Sequence, residues 1–123
     1  MNWTLAAAVA LGLAVMLGAF GAHGLKERLD AYSMGVYEKA VFYHFVHALG
    51  LLIVSILPRV GVLKQSAVTW VCSLLCAGIL LFSGSLYVLA VSGIRAFGAV
   101  TPFGGLAFIA AWLLLAFRVR GIR

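Results

Sequence analysis

The chain has 123 residues, 65% of them hydrophobic and 10% charged, with nine Lys/Arg against three Asp/Glu and a formal net charge of +6. Soluble domains carry about 25% charged residues and keep a large polar surface, so water is excluded as the main solvent and a lipid bilayer takes its place. A basic balance can signal nucleic acid, but the basic residues here flank apolar runs and form no patch interleaved with aromatics, which excludes that partner and points to anionic lipid headgroups.

The first apolar run extends from Trp3 to about Leu25, interrupted by only Thr4 and His23 among polar residues. A bilayer core of roughly 30 Å needs about 20 helical residues, so this run is long enough to span. Ala19, Gly21 and Ala22 resemble a signal-peptide cleavage site, but no Lys or Arg precedes the run and it is longer than a signal-peptide core; it is expected to remain as a span. The polar segment from Lys26 to Lys39 holds all three acids, Glu27, Asp30 and Glu38. Asp30 or Ser33 is positioned to cap a second helix, whose membrane part is expected over about residues 37–57, stopped by Pro58 and Arg59. A third span is expected over 66–91, ended by Ser92 and Gly93. Thr101 and Pro102 read as the N-cap and first position of a fourth span over 102–117, which runs into Arg118, Arg120 and Arg123.

Short connectors force antiparallel neighbours, so the predicted fold is a single all-α domain, an integral membrane four-helix bundle of up-down-up-down order. Both termini then share a side with Arg59, Lys64, Arg118, Arg120 and Arg123, against Lys26, Arg28, Lys39 and Arg95 on the other. The positive-inside rule places the more basic side, and with it both termini, in the cytoplasm of a cell whose cytoplasmic membrane holds the protein. The juxtamembrane cluster Arg118, Arg120 and Arg123 is expected to meet lipid headgroups.

Ala6, Ala10, Ala14, Gly18 and Ala22 recur at four-residue spacing on the first helix, a smooth stripe against which another backbone can pack closely. The stripe serves either helices of the same chain or a homo-oligomer seam. Cys72 and Cys76 share a helical face, where disulfide geometry is not reached without unwinding, and they read as small packing residues. No Cys-x-x-Cys supports a membrane disulfide oxidoreductase.

The informative polar residues gather towards one leaflet: His23, Tyr43, His44, His47, Ser83, Ser85, Arg95 and Thr101. His44 and His47 lie on one face of the second helix with Tyr37 and Leu51, and a cluster with His23 across the first helix pair is sterically open. Three readings compete for this polar end. The side chains hydrogen-bond between helices, as polar groups in lipid must; or the three imidazoles hold a metal or haem, although no Cys or acid completes a recognised spacing; or they line a proton or solute path. A proton-coupled exporter wants an acid in mid-membrane, and here every acid lies in or beside the polar segment. An intramembrane hydrolase would need Ser83 or Ser85 activated by a histidine, a loose match to that chemistry. No catalytic residue, metal or cofactor is therefore assigned from the residues alone.

The stretches Gly18-Ala19-Phe20-Gly21-Ala22-His23-Gly24-Leu25, Tyr43-His44-Phe45-Val46-His47-Ala48-Leu49, Phe82-Ser83-Gly84-Ser85-Leu86-Tyr87 and Thr101-Pro102-Phe103-Gly104-Gly105 resemble those of the YgdD-like small membrane proteins, a family classed as a domain of unknown function. The resemblance covers nearly the whole chain and implies a multi-pass membrane protein without an assigned activity. His23 and His47 match the family pattern, whereas His44 stands where that pattern has glutamine, so the resemblance implies no three-histidine metal site. The expected function is that of a non-enzymatic membrane component or accessory protein with a membrane-protein partner; the alternative is a small oligomeric transporter or channel with a polar site near His23 and His47. A hydrated cavity holding both histidines would mark the transporter; dry, mutually satisfied side chains would mark the accessory protein.

Overall fold

The computed structural model describes residues 1–120, and of Arg120 only the backbone. Four helical segments are long and apolar enough to cross a membrane: Trp3–Leu25, Ala31–Val60, Gln65–Ser92 and Arg95–Val119. The first contains α1 (Trp3–Phe20), capped by Asn2, whose side chain accepts the Leu5 N–H at 3.0 Å. A π-type turn, Gly21–Leu25, prolongs it. The second contains α2 (Ala31–Ile56). Of the two candidate caps it is Asp30 that starts α2, its carboxylate accepting the Ser33 N–H at 2.7 Å. The helix therefore opens six residues before the expected membrane part at 37, because a cap fixes where a helix begins whereas hydropathy marks only where it enters lipid. It closes through a tight turn, Leu57–Val60, and Gly61 at φ 73°, a left-handed conformation suited to glycine.

The third span is two helices joined by a second π-type turn: α3 (Gln65–Gly78), the turn Ile79–Ser83, and α4 (Gly84–Ser92), ended by Gly93 at φ 73°. After the short turn Arg95–Ala99 comes α5 (Thr101–Arg120). Thr101 opens α5, but its hydroxyl turns to Ser85 on α4 at 2.6 Å, so the expected capping residue serves as an interhelical tie.

Side-chain pairs define the topology. Thr4 at the start of the first span meets Ser55 near the end of the second at 3.0 Å, and the Tyr37 hydroxyl donates to the Leu17 carbonyl, so these two run antiparallel. Ser83 reaches Ala40, and Ser85 reaches Thr101, which makes the second and third spans, and then the third and fourth, antiparallel as well. The second and fourth spans run the same way, with His47 on Phe108 and, one turn on, Gly50 under Trp112. The result is an up-down-up-down bundle with the second span at its centre. Leu51, Val54, Val68, Val71, Leu75, Phe108 and Ala111 fill the core, with Trp3 and Ala7 of α1 against them. Large apolar residues such as Leu5, Leu13, Leu80, Phe103, Leu106 and Leu113 face outward, as helices apolar all round must in lipid.

The stripe on α1 divides. Ala14 is buried and Gly18 is half-buried, a Cβ on the latter coming within 3.4 Å of Val41 Cγ1 on α2. Ala6 and Ala10 instead line a lateral groove of about 590 Å³ between the first and third spans, with Leu51 and His44 of α2 behind them. Ala22 is exposed, and its neighbour Gly21 takes the buried place against Tyr37. The wider π turn shifts the helical phase, so four-residue spacing stops marking one face beyond Phe20.

Candidate functional site

Tyr37, Ala40, His44, His47, Leu51 and Val54 form the buried face of α2. The two histidines, one turn apart, diverge to different neighbours. Nδ1 of His44 lies 2.8 Å from the Tyr87 hydroxyl on α4, with the rings edge to face at 5.9 Å, and the Ala10 carbonyl of α1 faces the same imidazole. Tyr37 stacks edge-on against Tyr87 at 5.2 Å, so three spans meet around this pair.

His47 turns towards α5. Its Nδ1–H donates to the Tyr43 carbonyl at 2.8 Å, and since a carbonyl can only accept, this bond selects the tautomer with the proton on Nδ1. The imidazole lies flat on Phe108, with centroids 3.5 Å apart and planes within 12°, beside Trp112 at 5.7 Å and the Tyr43 ring at 5.9 Å. Phe82 closes the group, 4.5 Å from Tyr43 and 5.7 Å from Phe108. Phe108 covers one face of the ring and Tyr43 flanks it, so this histidine is buried.

His23 does not join them. It sits exposed in the turn Gly21–Leu25, and among the described residues no hydrogen bond links it to either imidazole. The reason is register: Leu17 lies opposite Tyr37, so six residues further along the antiparallel first span His23 faces the opening turns of α2. That is roughly 20 Å along the axis from His44, which faces Ala10 on α1, at 1.5 Å per residue. The three-histidine cluster expected across the first helix pair is therefore not formed. Among the described residues no group of three His, Cys, Asp or Glu is gathered for a metal ion. Cys72 and Cys76 are free thiols, the first buried and the second half-buried on the wall of the lateral groove.

The serines fasten helices. Ser83, fully buried at the end of its π turn, donates to the Ala40 carbonyl at 2.8 Å. Ser85 bridges the Phe82 carbonyl at 3.0 Å and the Thr101 hydroxyl. Neither has a histidine as hydrogen-bond partner among the described residues, so the nucleophile-and-base arrangement of a hydrolase is missing. Interhelical bonds of this kind contribute about 0.6 kcal/mol on average and at most about 1.7. Ser83→Ala is accordingly expected to cost about that much in a reversible unfolding titration in mixed micelles, and a loss above 3 kcal/mol would mean the hydroxyl does more than tie two helices.

Arg95 is exposed at the polar end, where it lines an open depression of about 680 Å³ with Asp30, Tyr32, Ser33, Leu89, Gly93 and Gly98. At the opposite end Arg118 is exposed on the last turns of α5, while the side chain of Arg120 and the whole of Arg123 lie outside the described residues.

Sequence reasoning missed Phe108, the platform under His47, and Gly104, whose bare Cα lets α5 approach the backbone at Phe82. The Gly104-Gly105 pair after Pro102, in an otherwise apolar helix, was the available signal for the second. The four stretches that carried the family resemblance converge here: Tyr43 on Phe82, His44 on Tyr87, Ser85 on Thr101, and Gly21 under Tyr37, which itself packs on Tyr87.

Residues 17–105 match the family described as "Protein of unknown function (DUF423)". The chain belongs to this family. A UPF0382 membrane protein of Staphylococcus saprophyticus is 50% identical to the chain over 103 residues, 84% of this chain and 83% of the relative. UPF0382 membrane protein YwdK of Bacillus subtilis is 47% identical over 105 residues, covering 84% and 83%. No solved structure gives a significant match. The DUF423 member described here is thus a multi-pass membrane protein of a family without an assigned activity, and its motif-bearing stretches meet at one end of the bundle.

Proposed function

We propose that this DUF423 protein is a non-enzymatic component of the cell membrane, an accessory or assembly partner with both termini in the cytoplasm. One observation carries the reading: among the described residues no buried side-chain nitrogen or oxygen lacks a hydrogen-bond partner. A pathway for protons or solutes needs polar groups that face water inside the membrane. His47 is buried against Phe108 with Tyr43 beside it, His44 is tied to Tyr87, and His23 stands apart, which supports a packing role for the polar end. The finer likeness to the YgdD-like proteins belongs to the same reading and rests on the four stretches.

The test is reconstitution. Liposomes holding the purified protein and a trapped pH dye are expected to leak protons no faster than empty liposomes at an imposed gradient, and His47→Phe to change nothing. A flux abolished by His47→Phe would replace the accessory reading with the transporter one.

Two partner expectations attach to this reading. Ala6 and Ala10, open to lipid along the lateral groove, leave room for a second copy of the first span, and the subunit count of the same preparation tests it. The basic end of α5 is expected to hold anionic lipid. Neutralising Arg118, Arg120 and Arg123 together should remove phosphatidylglycerol that co-purifies with the protein, and unchanged retention would sink the idea.

A further inference from the structure

Opposite charges line the depression at the polar end without pairing. Asp30 comes from the cap of α2, and Arg95 from the turn after α4. The Ser33 N–H and hydroxyl hold the Asp30 carboxyl below its ordinary value of 3.8, so the group is a carboxylate throughout the neutral range. The Ser33 N–H donates to Oδ1, and Asp30 remains exposed at the surface. Between the two charges the wall is Leu89 and the bare backbones of Gly93 and Gly98, and Tyr32 stands at the rim, 74% exposed. A space of about 680 Å³ is of small-molecule size. It lies where the span Ala31–Val60 begins and the span Gln65–Ser92 ends, at the level of lipid headgroups.

We infer that this depression binds the headgroup of a zwitterionic phospholipid bearing a primary ammonium, its phosphate on Arg95 and its ammonium on Asp30. The chemistry is matched in sign at both ends. Arginine presents a planar fork to phosphate oxygens, and a carboxylate accepts N–H bonds from an ammonium. A phosphatidylglycerol headgroup offers nothing cationic to Asp30. A trimethylated choline headgroup carries the same charge but has no N–H to donate. The acyl chains leave the site along the apolar outer face of α4, where Val88 and Val91 are exposed. Tyrosine at the rim has the amphipathic ring that suits this depth.

The experiment is native mass spectrometry of the full-length protein with Arg118, Arg120 and Arg123 neutralised, so that lipid held at the far end of α5 does not enter the comparison; this parent is released from mixed micelles containing equimolar dioleoyl phosphatidylethanolamine, phosphatidylcholine and phosphatidylglycerol. Exposed charge pairs of this kind each change an equilibrium by up to about fivefold, so phosphatidylethanolamine is expected to be retained about three- to tenfold over either competitor. Asp30→Asn should bring the ratio close to one, and Arg95→Gln should lower retention of phosphatidylethanolamine severalfold, because the phosphate is held there. Asparagine is as good an N-cap as aspartate, so Asp30→Asn keeps α2 intact. A series needing no variant gives a second reading: mono-, di- and trimethylated phosphatidylethanolamine should bind progressively less well, because each methyl removes a donor. Absence of preference in the parent protein, preference for phosphatidylglycerol, a ratio that Asp30→Asn does not lower, or retention that Arg95→Gln leaves unchanged would overturn the proposal. Displacement of the lipid by millimolar glycerophosphoethanolamine would show that the site takes a soluble zwitterion, and would equally overturn it.

Discussion

Gly104→Ala is expected to destabilise the bundle by about 3 kcal/mol, at the upper end of what overpacking costs. A Cβ at this position would overlap the Phe82 backbone nitrogen and lie 2.7 Å from both the Leu81 carbonyl carbon and the Phe82 Cα. These are main-chain atoms of the π turn Ile79–Ser83, so no side chain can rotate away, and α5 must move off the third span as a body. The same movement would stretch the Ser85–Thr101 bond one turn away. Against this, alanine improves helix propensity by only about 1 kcal/mol. The neighbouring substitution makes the comparison clean, because a Cβ at Gly105 meets its nearest atom, Phe82 Cδ2, at an ordinary 3.8 Å. Thermal unfolding in detergent, followed by loss of the monodisperse chromatographic peak, should show Gly104→Ala melting well below the parent and Gly105→Ala at or above it. Equal melting of all three would mean that the close approach of α5 is unimportant to stability.

Phe108→Ala should be as damaging for the opposite reason. The ring is 4% exposed, lies against the His47 imidazole, and fills the space over Gly78, where a Cβ would come within 3.0 Å of its Cγ. Removing a buried phenyl group typically costs about 3–5 kcal/mol, and here the hole opens beside a polar ring that has no other cover on that face. Phe108→Leu, which keeps most of the volume and loses the flat contact, is expected to recover about half of the loss. A second readout separates packing from mere instability. Diethyl pyrocarbonate should modify His23 in the parent protein at low reagent and leave His47 untouched, whereas in Phe108→Ala both should react under conditions where the protein stays folded. Protection of His47 in that variant would contradict its placement against Phe108.

Much of the architecture was legible in the residues, for reasons that can be named. Lipid leaves backbone groups no partner but their own helix, so each long apolar run could only be a span, and short polar connectors dictated the alternation of direction. Hydropathy located the spans better than their ends. Asp30 and Ser33 were both visible as caps of a helix with Glu38 in its first turns, and composition did not say which of the two would start it.

At the polar end the histidines on α2 stood out, because ionisable residues in an apolar run are conspicuous. Their partners did not. Spacing of i and i+3 says that His44 and His47 share a face, but not that the face is wide enough to touch α4 with one and α5 with the other. Grouping His23 with them required a register between α1 and α2, and that register is set by the Tyr37 bond to the Leu17 carbonyl, a tertiary contact with no local signature. Thr101 read as a cap because threonine before proline usually is one; the hydroxyl of Ser85 competed for it and won.

The π turn in the third span has a further consequence, for how chains of this kind can vary in length. A π turn is in effect one residue more than the regular helix needs, and each α-helical residue advances the helix by about 100°. Ser83, Ser85 and Tyr87 lie on the far side of that extra residue from the core residues Val68, Val71, Cys72 and Leu75. A homologue lacking a single residue within 79–83 would have a smoother, better-bonded helix and would swing all three hydroxyls about a quarter turn away from Ala40, Thr101 and His44. Such a deletion would be silent in a hydropathy plot. It would nonetheless unfasten one leaflet of the bundle while leaving the other intact, so a gap at this point in an aligned sequence identifies a protein whose polar end is built differently.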